Sequence, residues 1–146
     1  MGSINNRQFS RINIRWAVQL DFGPNHYRYF LDNLSLSGFL VKGKCGQSEG
    51  DLCKITIKES AFFSEAIIHA IGLVVRITEN SAALEFVAMK LNSYFYLQAS
   101  LLTKAVNPSV LGNEIVKSNL FEFDGDIVLH RTHNFEKKKV ISLLNT

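Results

Sequence analysis

Ile12-Asn13-Ile14-Arg15-Trp16-Ala17-Val18-Gln19-Leu20 decides the fold class, because its apolar residues fall on every second position, with Asn13, Arg15 and Gln19 on the other face. A period of two places one face of a strand in a core and the other in solvent. Gly23-Pro24-Asn25 then signals a turn, and Tyr27, Tyr29 and Leu31 alternate again up to Asp32-Asn33, which predicts a hairpin. Further strand-like stretches follow at Gly38 to Val41, Leu52 to Lys58, Glu65 to Thr78 and Ala82 to Val87, separated by polar or glycine-bearing segments. Six strands with local turns predict a mainly β fold built on an antiparallel sheet or barrel.

The pattern changes at Asn92-Ser93, read as the cap of a helix carrying Phe95, Leu97, Leu101 and Leu102 near helical spacing. Asn107-Pro108 is expected to end that helix, since proline disfavours helix in the residue before it, and Glu114 to Asn119 is read as a short second one. Beyond Leu120 an acidic stretch around an Asp124-Gly125 turn gives way to Lys137-Lys138-Lys139 and an apolar end.

With 47% hydrophobic and 20% charged residues, 146 residues suit one globular domain with a real core. No run is long and apolar enough to span a membrane, and the first residues lack the apolar core of a signal peptide, so the expectation is a cytoplasmic protein without membrane insertion. Cys45 and Cys53 have no CxxC spacing and are read as reduced thiols at strand positions. The net charge of +3 is localised. Residues 1–20 hold Arg7, Arg11 and Arg15 and no acid, whereas residues 21–146 balance 13 bases against 13 acids. Arginine without lysine favours planar, bidentate recognition of phosphate or guanine over diffuse attraction to a nucleic-acid polymer.

Two short patterns carry donors. Arg7-Gln8-Phe9-Ser10-Arg11 is RxxxR, immediately before the first strand, and Asn33-Leu34-Ser35-Leu36-Ser37-Gly38 is NxSxxG, between the second and third. A guanidinium can offer two parallel N–H groups to guanine O6 and N7 or to two phosphate oxygens, and its flat face can stack on a purine. Asn33 adds an amide and Ser35 a hydroxyl, while Gly38 lets backbone approach a ligand or adopt positive φ. Both patterns suit an anionic, purine-bearing ligand.

In these motifs, their order and their strand context, the chain resembles the PilZ domains. Gly72-Leu73-Val74-Val75-Arg76-Ile77 and Leu84-Glu85-Phe86-Val87 look like late strands of that family, and the helix from Ser93 resembles its closing helix. The resemblance implies a six-stranded antiparallel PilZ-type β-barrel with a C-terminal helix. It divides the chain into a flexible arginine arm (1–12), the barrel with its helix (13–118) and an extension of unknown role (119–146), for which a dimer contact, a partner site and a mobile tail all stand open. It further implies a bacterial receptor for cyclic di-GMP, with Arg7, Arg11, Asn33, Ser35 and Gly38 as the binding residues and Arg76 as a possible auxiliary phosphate contact whose other reading is a surface charge. The arm would close over the barrel mouth, and an unidentified protein partner would read the change. Asn6 stands where many members have a further arginine, which leaves one or two ligands per chain open, and Asn33 stands where many have aspartate. The alternatives are a PilZ-like interaction module that binds no nucleotide and an oligonucleotide-binding barrel with Phe62-Phe63, Tyr94, Phe95 and Tyr96 as stacking platforms.

Other signals are weaker. Gly38 to Cys45 nearly spells a P-loop, but Cys45 replaces the magnesium-binding hydroxyl and no βαβ context surrounds it. His130 and His133 have HxxH spacing, yet no acidic or cysteine partner stands at a recognisable spacing, so they are read as tail histidines and no metal or other cofactor is assigned. There is no GxSxG elbow and no orderable Ser, His and Asp set, so the reading is of a binding protein, not an enzyme.

Overall fold

The computed structural model describes residues 9–60, 67–131, 133 and 135–146. Arg7, most of the arm and Phe62-Phe63 lie outside the described residues. Along the chain come β1 (Ala17–Asp21), β2 (His26–Leu34), β3 (Gly38–Lys42), β4 (Leu52–Lys58), β5 (Ile68–Ile77) and β6 (Ser81–Lys90). Helices α1 (Leu91–Lys104) and α2 (Pro108–Lys117) follow, then β7 (Phe121–Asp124), β8 (Ile127–His130) and α3 (Lys137–Leu144).

The sheet runs β3-β2-β1-β4-β5-β6-β8-β7, and β3 also pairs with β6, so β1 to β6 form a closed antiparallel barrel. The expected six-stranded barrel with a helix behind it is present. The alternation of Ile12, Ile14, Trp16, Val18 and Leu20 holds as burial, all five being turned into the core. Only Ala17–Asp21 forms ladder pairs, with β2 on one side and β4 on the other. The stretch before it is held by a single bridge, Ile12 to Leu34, and by Leu31 N–H donating to Trp16 O at 2.8 Å. Leu20, Leu31, Ile55, Ile57, Ile68, Leu84 and Phe86 fill the interior, and Leu97 and Leu101 of α1 are buried in the same cluster.

Three local readings are corrected. Asn92-Ser93 does not cap α1, whose N-cap is Lys90 with no side-chain hydrogen bond. Ser93 is buried, and its hydroxyl accepts the His69 N–H at 2.9 Å, tying the helix to β5. Asn107-Pro108 does not merely close a helix but opens α2: the Asn107 side chain accepts the Val110 N–H and proline occupies the first turn, where its missing N–H costs nothing. Cys45 lies in the loop after β3, not in a strand, although both thiols are free and buried. Burial, then the neighbouring Cys45, pushes the Cys53 thiol up to about 12.

The residues after Asn119 extend the same sheet. One edge of β6 pairs with β3 through Ser81–Glu85 and, farther along, with β8 through Ala88–Lys90. Packed outside the barrel, Ile71, Val87 and Ala88 meet Ile127, Leu129, Val140 and Leu144 in a second, smaller core under α3. Among the described residues no helix is long and apolar enough to cross a membrane.

Two outcomes follow from this packing. Leu144→Ala, removing a side chain only 2% exposed, should lower the unfolding free energy in urea by about 2–3 kcal/mol; no change would mean that α3 is not docked. Because the folded Cys53 pKa lies above its ordinary 9.0, the unfolded thiol ionises first, and the stability this group contributes is lost as pH rises from about 9 to about 12. At pH 8, iodoacetamide followed by peptide mass spectrometry should therefore label Cys53 only after unfolding.

Candidate functional site

At the mouth of the barrel, where β3 closes on β6, a cleft of about 100 Å³ is lined by Arg11, Asn33, Ser35, Ser37, Gly38, Val75, Arg76 and Glu85 among others. Five features of the chain assemble it. The Ile12–Leu34 bridge has two hydrogen bonds, 2.8 and 2.9 Å, and its antiparallel register sets Arg11 across from Ser35. Neighbouring Ser10 is held from a distant element: its N–H and hydroxyl donate to the two carboxylate oxygens of Glu114 in α2, each at 2.6 Å. The base of the arginine arm is thus anchored on both sides of Arg11.

The NxSxxG turn is held by its own serines. Ser35 N–H donates to Gly38 O at 2.8 Å, and the buried Ser35 hydroxyl lies 3.1 Å from that of Ser37 and accepts the Ser37 N–H at 3.3 Å. Ser35 therefore shapes the turn as well as lining the cleft. Phe86 N–H donates to Ser37 O at 2.9 Å, seating the turn on β6.

Gly38 is required for a reason the sequence did not show. It does not have positive φ. A Cβ there would stand 2.0 Å from Leu84 O and 2.9 Å from the Glu85 Cα, so the absence of a side chain is what lets β3 approach β6.

Bulges set the two flanks. On β2 the register jumps from Leu31–Val41 to Asn33–Leu40, leaving Asp32 extra. On β5 it jumps from Val74–Leu84 to Arg76–Ala83, leaving Val75 extra. An extra residue shifts the alternation that follows it. Leu31 and Leu34 both point inward while Asn33 stays at the cleft, and the exposed Arg76 lines the cleft from β5.

Of the residues predicted from sequence, Arg11, Asn33, Ser35, Gly38 and Arg76 share this one cleft, and Arg7 lies outside the described residues. Glu85, Glu114 and Ser37 were missed. Glu85 and Glu114 act across sequence separations that no local pattern encodes, although Ser37 lies inside the motif itself.

A family model for the PilZ domain matches residues 5–102. The chain belongs to the PilZ domain family, whose members are receptors for cyclic di-GMP. In structure it is similar to the Bacillus subtilis inhibitor of motility MotI/DgrA, at 22% identity over 72% of this chain and 56% of that one, with a TM-score of 0.53. It is likewise similar to the PilZ domain of Escherichia coli YcgR with c-di-GMP, at 15% identity over 78% of this chain and 100% of that one, with a TM-score of 0.55. For Escherichia coli YcgR in complex with c-di-GMP the values are 18% identity, 77% and 51% coverage and a TM-score of 0.57. The PilZ chain described here spans little more than half the length of the motility inhibitor and about half of that YcgR chain. At these identities the likeness is one of fold. No curated protein matches the chain.

Because Gly38 is wedged against β6, Gly38→Ala should cost about 3 kcal/mol or more of stability, at the upper end for overpacking, measured as a fall in the urea midpoint without added ligand. An unchanged midpoint would show that β3 and β6 separate without penalty.

Proposed function

We propose that this PilZ protein binds cyclic di-GMP at the β3–β6 cleft and that the arginine arm closes over the bound nucleotide, giving a surface that a partner protein reads. The observation that carries the reading is the convergence of Arg11 and Arg76 with the Asn33 and Ser35 side chains on one cleft. Two guanidiniums on opposite walls suit a ligand with two phosphates and two guanines, since each can take either group bidentately. Support also comes from membership of the PilZ family and from the YcgR structures, which contain c-di-GMP.

A volume of about 100 Å³ is well below the roughly 300 Å³ at which a pocket encloses a drug-sized ligand. Much of the dinucleotide would therefore lie over the mouth, and Arg7, four residues before Arg11, would supply the cover. The Glu114–Ser10 contacts keep the base of that arm in place, which lowers the ordering cost of closure. Asn33 and Ser35 would offer an amide and a hydroxyl to the facing edge of the ligand.

Calorimetric titration tests the proposal, with GTP as the control ligand. Cyclic di-GMP should bind, and Arg7→Ala and Arg11→Ala should each weaken binding by at least tenfold, the loss of one bidentate contact being worth about 1–3 kcal/mol. Unchanged affinity in both variants would overturn the assignment, and no heat with wild type would leave the fold as an interaction module.

A further inference from the structure

The HxxH pair set aside in the sequence acquires in three dimensions the acidic partner it lacked. His130 ends β8, and His133 lies just beyond it. Their rings are tilted by 38° with centroids 4.1 Å apart, and His133 Nε2 sits 2.9 Å from Oε1 of Glu85 on β6. Ligand atoms of Glu85, His130 and His133 all lie within 4.8 Å of one another, the arrangement that brings potential metal ligands together among the described residues. We propose that Glu85, His130 and His133 form a binding site for a divalent transition ion of the zinc class, which clamps the C-terminal extension onto β6.

The donor set fits the ion. Two imidazoles and one carboxylate are a common protein ligand set for zinc, with the fourth position left to water. Bonds of about 2.1 Å in a tetrahedral arrangement place ligand atoms about 3.4 Å apart. The His133–Glu85 pair at 2.9 Å must open slightly, and the remaining pairs, at most 4.8 Å apart, must close by at most about 1.4 Å. A flexible carboxylate and a histidine on the segment after β8 can supply that movement. The His133 side chain is only 18% exposed and that of Glu85 40%, which shields the ion while leaving one side open to water.

The position suits a clamp. Ligands come from β6, the end of β8 and the segment after it, elements otherwise joined by the short Ala88–Lys90 ladder and the second core. The site does not depend on the nucleotide reading, although Glu85 also lines that cleft.

The test uses tag-free protein, stripped with EDTA and titrated with zinc chloride by calorimetry. One ion should bind per chain, and saturating zinc should raise the melting temperature by on the order of 5 °C. Cobalt(II) in place of zinc should give the intense visible bands of a four-coordinate site. His133→Ala and Glu85→Gln should each weaken zinc binding by about 100-fold, whereas His26→Ala, at an exposed histidine paired with Asp21, should leave it unchanged. Circular dichroism checks the fold of each variant. If His133→Ala unfolds, Glu85→Gln, at a half-exposed carboxylate, decides alone. Absence of saturable binding, or affinity retained in a folded Glu85→Gln variant, overturns the site.

Discussion

The close approach of β3 to β6 is the constraint on which the rest of this molecule depends. An open sheet of β1 to β6 would leave two rows of unpaired backbone groups, and pairing the first strand of the sheet with the last removes both. Closure requires the strands to meet where the chain has just turned through Leu34 to Ser37, and only a residue without a side chain fits against Leu84 O. The cleft forms at that seam. Its walls are the turn that enters β3 and the bulged start of the β5–β6 pair, so the element that completes the barrel also brings Asn33 and Ser35 opposite Arg76.

Much of this could be read in the sequence because much of it is periodic. Alternation from Ile12 onward gave the strands, the glycine and asparagine turns gave their order, and the RxxxR and NxSxxG patterns named the residues that converge. Longer-range features had no local signature. Closure of β3 on β6 joins segments about forty residues or more apart, from Lys42–Ser81 to Gly38–Glu85, the grip of Glu114 on Ser10 spans 104, and the Glu85–His133 contact spans 48. Helix boundaries failed for a different reason. Asn92-Ser93 and Asn107-Pro108 carry residues that serve equally at either end of a helix or in a tertiary contact, and packing decided: Ser93 bonds His69, and Asn107 starts α2.

The extension after Asn119 shows how an edge can be used twice. β6 is longer than β3, so its far end would present the N–H and C=O groups of Ala88 to Lys90 beside the apolar Ile71 and Val87. β8 pairs with those groups, and α3 covers the apolar side.

The bulges at Asp32 and Val75 act as parity shifts. Side chains on a strand alternate with a period of two, so one residue more or less reverses which of them face the core. A relative lacking the extra residue at either position would carry Asn33 or Arg76 on the inward face if the two sequences were laid side by side without a gap. Comparison of this chain with its distant relatives must therefore be made wall by wall, restarting the count after each bulge, because an ungapped alignment through Asp32 or Val75 equates lining residues with core residues.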